Sequence, residues 1–180
     1  MTDLEFKFLS KANLTPDLQD ESDRLDRLTF AGSGTEGMPE FAGMRWAVPD
    51  WMGLGFLHTA LVTQVFLPVR EICVGGETLR VAGVGGMATH PDHQHQGHGS
   101  ALLKATEDFM RAELRVPFGL LICADATRPF YERARWQVAA DALTHEQDGK
   151  RQVLKTCVMI LPLTSREWLS GEIDLCGLPW

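Results

Sequence analysis

The 180 residues contain a single tyrosine, Tyr131, so any chemistry that needs a phenol is confined to one position. Cysteine is scarce too. Cys73, Cys123, Cys157 and Cys176 are widely separated, and none forms the C-x-x-C spacing of a metal knuckle or redox pair. They read as reduced, mostly buried thiols. No apolar run reaches the roughly 18 residues a membrane helix needs, so no membrane partner is expected. The start, Met-Thr-Asp-Leu-Glu-Phe-Lys, has no apolar core behind a basic head and does not read as a signal peptide; the expected compartment is the cytoplasm. Repeats, low-complexity tracts and long linkers are absent, and 44% hydrophobic content suits one domain spanning 1–180. A net charge of −7 argues against nucleic acid and favours a cationic small molecule.

What is present is a dense run of glycine and histidine between two regular elements. Residues 79–88 read as a strand and 100–110 as an apolar helix, with Gln94-His-Gln-Gly97-His-Gly99-Ser100 between them. A strand entering a helix through two close glycines builds an anion site. Consecutive amides share one concavity, and the positive helix end lies behind them. The expected ligand is a pyrophosphate.

Around this segment the spacing predicts a half-buried strand over 4–9, then a helix capped by Thr15 with Pro16 in its first turn, running to about Phe30. A glycine-rich loop covers 32–39. Strands are expected over 44–49, over 55–67 as one long apolar element, and as a hairpin joining 69–74 to 78–88 across Gly75-Gly76. A strand buried on both faces follows at 118–123, then a short helix over 126–135, a strand over 136–140 and a last long strand over 153–161. The result is an α+β, or mixed α/β, domain with a mostly antiparallel central sheet flanked by helices.

The run Val84-Gly-Gly-Met-Ala-Thr-His-Pro-x-x-Gln94-x-x-Gly97-x-Gly99-Ser-Ala-Leu-Leu103 resembles the acetyl-CoA signature of the GNAT N-acetyltransferases. Phe130-Tyr131-Glu132-Arg133-x-x-Trp136 resembles that superfamily's following landmark. The resemblance implies a GNAT-like sheet with its fourth and fifth strands splayed apart. It implies acetyl-CoA as co-substrate, with no metal. Met87, Ala88 and Thr89 would offer backbone groups to the pantetheine arm, and the Met87 N–H would polarise the thioester carbonyl. Gly85-Gly86 fits a bulge there. Gln94, His95, Gln96, Gly97, His98, Gly99 and Ser100 would hold the pyrophosphate. Tyr131 would be the general acid; a phenol with pKa about 10 stays protonated at neutral pH.

Two positions depart from the superfamily's pattern. Arg135 stands where a glycine usually precedes the tryptophan, so a different backbone shape is expected for that turn. Gly85 stands where several members carry a basic glutamate, which moves the question of the base elsewhere.

The tail, Gly171-Glu-Ile-Asp-x-Cys-Gly-x-Pro-Trp180, resembles aminoglycoside 2′-N-acetyltransferases and, less closely, nodulation acyltransferases. Both act on amino-sugar amines. The expectation is therefore acetyl transfer from acetyl-CoA to a primary amine of a small molecule, an aminoglycoside or amino sugar, by direct attack on the thioester. The Trp180 terminal carboxylate leads the candidates for holding the amine, followed by Glu40 and Glu36; His58, Glu71 and Asp174 are weaker ones. Met38, Phe41, Trp46, Trp51 and Met52 would line an acceptor pocket, pack into a homodimer, or simply form core. The rival readings are a CoA-binding sensor that has lost transfer and an acetyltransferase acting on a protein amine. His90, His93, His95 and His98 have a spacing that suits zinc or nickel. A metal there would compete with the nucleotide, and loop histidines are the preferred reading.

Overall fold

The structure, a computed structural model, describes residues 4–30, 41 and 43–180. Strand β1 (Leu4–Ser10) leads into helix α1 (Pro16–Phe30), and β2 (Trp51–Leu57), β3 (Ala60–Leu67), β4 (Val69–Val74) and β5 (Glu77–Thr89) follow as hairpins. After β5 a short 3-10 turn over Pro91–His93 enters helix α2 (His98–Phe109). Strand β6 (Phe118–Cys123), helix α3 (Arg128–Arg133) and the two-residue strand β7 (Gln137–Val138) come next. Strands β8 (Leu143–Gln147), β9 (Lys150–Leu154), β10 (Cys157–Pro162) and β11 (Ile173–Asp174) complete the chain. The sheet runs β1-β2-β3-β5-β4-β11-β8-β9, with β6 beside β5, β10 beside β6 and β7 beside β10. Among the described pairings only β5–β6 and β11–β8 are parallel. The α+β fold with a largely antiparallel sheet is the one expected.

Alternation decides which helix covers which face. On β2 and β3, Met52, Leu54, Phe56 and Phe66 point to one side, where Leu14 and Leu18 at and near the start of α1 meet them. Val65 and Leu67 point to the other side and join Leu102, Leu103 and Met110 of α2 and its continuation. Ser22, fully buried on α1, donates from its hydroxyl to Oε1 of the Gln64 side chain at 2.8 Å and fixes the helix on β3.

Several elements differ from the sequence reading; the strand over 136–140 shrinks to β7, and β8 falls where none was expected. Residues 55–67 are not one strand: the chain turns at His58 (φ 55°) and Thr59, and β2 pairs back on β3. Apolar periodicity runs through this turn because both strands are central, so nothing marks the break. His58 is consequently an exposed turn residue rather than part of an apolar strand. Residues 44–49 form no strand; Ala47 instead donates to the Pro179 carbonyl at 2.7 Å. The expected strand over 153–161 divides into β9 and β10, because β9 pairs with β8 across the Asp148-Gly149 turn while β10 returns to β6.

The turn after α3 corrects another expectation. Arg135 does not avoid the backbone shape of glycine; it adopts it, with φ 67°. The Arg135 N–H donates to Glu132 O at 2.9 Å and the Trp136 N–H to Tyr131 O at 3.2 Å, the two bonds of a Schellman cap. Left-handed backbone costs a β-carbon residue about 1–2 kcal/mol, partly offset in glycine by unfolded-chain entropy. Arg135→Gly should therefore stabilise the protein by about 0.5–1 kcal/mol. A urea titration checks this, and equal or lower stability would show that the Arg135 side chain does more than tolerate the turn.

Candidate active site

Strands β5 and β6 pair in parallel from Val81↔Phe118 to Val84↔Leu121 and then part. Beyond that point β5 stays with β3, reaching Thr63↔Thr89, while β6 stays with β10 up to Cys157↔Cys123. The cause lies in the glycines. Between Phe66↔Gly85 and Gln64↔Ala88 one residue of β3 faces two of β5, a bulge, and Gly86 sits at φ 54°. The strand thus bends away from β6, and a V-shaped gap opens between Gly85–Met87 and Ile122–Ala124. This is the splay that the sequence reading placed at the fourth and fifth strands; here it separates β5 from β6.

A cavity of about 610 Å³ occupies the gap and continues under α1. Met87, Tyr131 and Trp180 all line it. Tyr131 enters from α3, held edge-on by Phe130 with ring centres 5.0 Å apart and by Trp136 at 6.3 Å. Burial raises its phenol pKa above the ordinary tyrosine value, and the nearby Cys123 adds to this. Burial likewise pushes the Cys123 thiol up to about 12, helped by Cys157 across the strand pair. Both groups keep their protons at neutral pH, so the gap is lined by neutral donors rather than thiolate or phenolate.

Trp180 reaches the site from the far end of the sequence. Its indole N–H donates to Leu120 O at 3.0 Å, and the Arg70 guanidinium lies 5.0 Å from the ring centre. Arg70 also donates to the carbonyls of Leu175 (3.3 Å) and Leu178 (3.0 Å), so it fastens the tail at three points. The fit requires glycine underneath. A Cβ at Gly83 would stand 2.3 Å from the indole nitrogen, and one at Gly85 would stand 2.9 Å from the Trp180 main-chain carbonyl carbon. The position aligned with a family carboxylate is therefore the position against which the Trp180 main-chain carbonyl rests.

The glycine loop has the geometry of an anion cradle. Gly97 (φ 85°) is the N-cap of α2, and a Cβ there would meet nothing within 4 Å. The first helical bond is Ala101 N–H to Gly97 O, so the amides of His98, Gly99 and Ser100 have no partner within the helix. The loop shape is set by its own side chains: Gln94 donates to Thr89 O and Gln96 to Asp92 O, each at 3.1 Å. His98 is unlike its neighbours. It is 3% exposed, packs near His93, and its Nε2 has no hydrogen-bond partner. That orphaned polar atom beside free amides is what a loop built around an absent polar ligand shows. The residues fit a diphosphate.

Other candidates are placed elsewhere. Glu36, Glu40 and Met38 lie outside the described residues. Glu71 is exposed on β4, and Asp174 is paired with Arg151 at 3.0 Å; neither they nor His58 lines the cavity. Phe41, Trp46 and Met52 do line it, whereas Trp51 packs against Phe109. Among the described residues no three His, Cys, Asp or Glu side chains converge as metal ligands. Sequence reasoning missed Gln19, Asp23 and Asp26 of α1, which form part of the cavity wall. Their spacing on a helix was the available signal.

The family model for the acetyltransferase (GNAT) domain matches residues 12–139, more than two thirds of the sequence. This chain belongs to the GNAT acetyltransferase domain family. Solved GNAT structures share its fold. YhbS from Escherichia coli, a GNAT family N-acetyltransferase solved in complex with CoA, superposes with a TM-score of 0.65 at 16% identity, covering 95% of this chain and 89% of that one. The ribosomal-protein-S18-alanine N-acetyltransferase of Escherichia coli gives 0.57 at 18% identity, with coverages of 91% and 97%. A GCN5-related N-acetyltransferase from Anabaena variabilis gives 0.56 at 16% identity; the match covers 75% of this chain and only 32% of that much longer one. A comparison with curated protein sequences found no match. Among the described residues no helix of this GNAT domain is long and apolar enough to cross a membrane.

Proposed function

We propose that this GNAT domain transfers an acetyl group from acetyl-CoA to a primary amine of a small cationic molecule, an amino sugar or aminoglycoside, by direct attack on the thioester. The observation that carries the reading is the convergence of Met87, Tyr131 and Trp180 on one cavity at the opening of β5 and β6. When bound, acetyl-CoA supplies the electrophile. The amides of residues 95–100 hold its diphosphate, with Gln94 and Gln96 bracing the loop, and Ala88 and Thr89 offer backbone groups to the pantetheine arm as an added strand would meet them. Met87 sits in the bulge and lines the cavity, so its N–H is the group proposed to stabilise negative charge gathering on the acyl oxygen.

An amine attacks only when neutral, and this site must hold it as it loses its proton. With Gly85 leaving no side-chain carboxylate, the Trp180 main-chain carbonyl takes that place, accepting from the amine beside the thioester. Tyr131, kept protonated by burial, donates to the departing sulfur. Support also comes from the acidic balance of the chain. The test is a thiol-release assay with acetyl-CoA over a panel of aminoglycosides, amino sugars and simple amines, run beside calorimetric titration with CoA. Turnover of amino-sugar amines is expected. CoA binding without turnover of any amine would make the domain a sensor, and turnover only of peptide amines would move the acceptor to a protein.

A further inference from the structure

A pair of thiols lies between two cavities. Cys123 ends β6 and Cys157 begins β10, and the two stand directly opposite each other in the antiparallel register. Opposite residues in such a pair have Cα atoms about 4.5 or 5.5 Å apart. A disulfide spans about 4.4–6.8 Å between Cα atoms, so either kind of rung admits the bond. Alternation puts both side chains on one face. Leu121, Cys123, Cys157, Met159 and Leu161 share one core, whereas Leu120, Val158 and Ile160 belong to the other. The Cys123 sulfur lies 3.9 Å from the Met159 sulfur, and the Cys123 and Cys157 thiols are near enough to hydrogen-bond each other. Both are buried, at 5% and 9% exposed, yet each reaches a cavity wall. Cys123 lines the acyl gap, and Cys157 lines a separate cavity of about 460 Å³ beside Arg128 and Lys155.

We infer that Cys123 and Cys157 form a redox-active dithiol, which reduces low-molecular-weight disulfides and closes to a cross-strand disulfide. The inference is independent of the acetyl-transfer reading. In the first step a thiolate of the pair attacks one sulfur of the small disulfide, whose S–S bond breaks. One half stays on the protein, and the other leaves as a thiol with the proton. In the second step the facing thiolate attacks the protein-bound sulfur, breaks the mixed disulfide and expels the remaining half as a second thiol. The two cysteines lose two electrons and two protons, and the small disulfide gains both. The facing position supplies the resolving thiol at high effective concentration. Neither thiol is activated. Burial raises both pKa values; at Cys157 the Cys123 hydrogen bond and Arg128 offset part of the rise, while Asp125 and Glu132 add to it. Exchange is therefore slow at neutral pH and quickens as thiolate accumulates. Such a pair makes the wall of the acyl gap responsive to the thiol–disulfide balance around the protein.

The test is incubation of the whole chain with hydroxyethyl disulfide at about pH 9, followed by an acid quench and peptide mapping by mass. A Cys123–Cys157 cross-link that dithiothreitol reverses is expected. The cross-linked protein should melt about 5 °C or more above the reduced one, because the bond closes a long loop in the unfolded chain. Cys176, exposed on the tail, reports in the same digest that the oxidant has reacted. Cys157→Ser should abolish both the cross-link and the rise in melting temperature, leaving Cys123 as a lasting mixed disulfide. Cys157→Ala serves if the serine variant does not fold. Modified Cys176 beside free Cys123 and Cys157 thiols would overturn the inference. So would unresolved adducts on the wild-type pair, or a cross-link that lowers the melting temperature.

Discussion

Replacing Tyr131 with phenylalanine should lower kcat by about 10²–10⁴-fold, the usual worth of a positioned proton donor, while CoA affinity and melting temperature hardly change. The two rings share a shape, and the packing against Phe130 and Trp136 survives. Only the hydroxyl is lost. An ordinary phenol of pKa about 10 is already a weaker acid than a thiol of about 8.5, so complete transfer to the sulfur is uphill by about 2 kcal/mol. Burial raises the Tyr131 pKa further and widens the gap. The hydroxyl therefore acts as a donor that tightens as charge develops, with the proton moving late. A pH consequence follows from that sign. The required form is the protonated one, its pKa is raised, and so it is lost only above the ordinary tyrosine range. In the wild type kcat/KM should climb with pH as the acceptor amine loses its proton, with no descending limb below about pH 10. A descending limb near pH 8 in the wild type, or a variant as fast as wild type, would show that Tyr131 is a packing residue.

How far the sequence reveals this site depends on whether each part is local. The loop from Gln94 to Ser100 is legible because the turn and capping positions from Gln94 to Gly97 carry their own geometry, and the structure places Gly97 at the helix start as the spacing implies. Strand β6 is legible because a short apolar run with Pro117 before it has few alternatives, and it spans Phe118–Cys123 as read. The break at His58 is not legible, since the turn there uses a left-handed histidine rather than a glycine. Arg135 is the same case: the backbone keeps the glycine shape and hides the fact from anyone reading side chains. The wall made by α1 is a third kind of failure. The stripe of Gln19, Asp23 and Asp26 is visible as periodicity, but an acidic stripe is ordinarily a solvated face. Only the placement of α1 across β3 and β5 turns it towards a cavity.

The tail is the longest-range element of the site, and displacing it should separate acceptor turnover from cofactor binding. Gly83→Ala should cost stability by about 1–3 kcal/mol and reduce acetyl transfer to amines by more than tenfold, with CoA affinity within about twofold of wild type. The added methyl would sit 2.3 Å from the Trp180 indole nitrogen, closer than any packing allows, and both neighbours are held by backbone. At this position the Gly83 N–H donates to Pro68 O at 2.7 Å and Gly83 pairs with Leu120 of β6, so the indole has to yield. Yielding breaks its bond to Leu120 O and withdraws the Trp180 main-chain carbonyl from Gly85. The diphosphate loop lies beyond Thr89, at the end of β5, whereas Gly83 is at the middle of the strand. Cofactor affinity and acceptor turnover should thus separate in this variant. Trp180→Phe serves as the control: it loses the indole hydrogen bond but leaves the main chain free to stay, and should fall between wild type and Gly83→Ala. Full acetyl transfer by a folded Gly83→Ala protein would remove the tail from the site, and with it the explanation for a glycine at position 85.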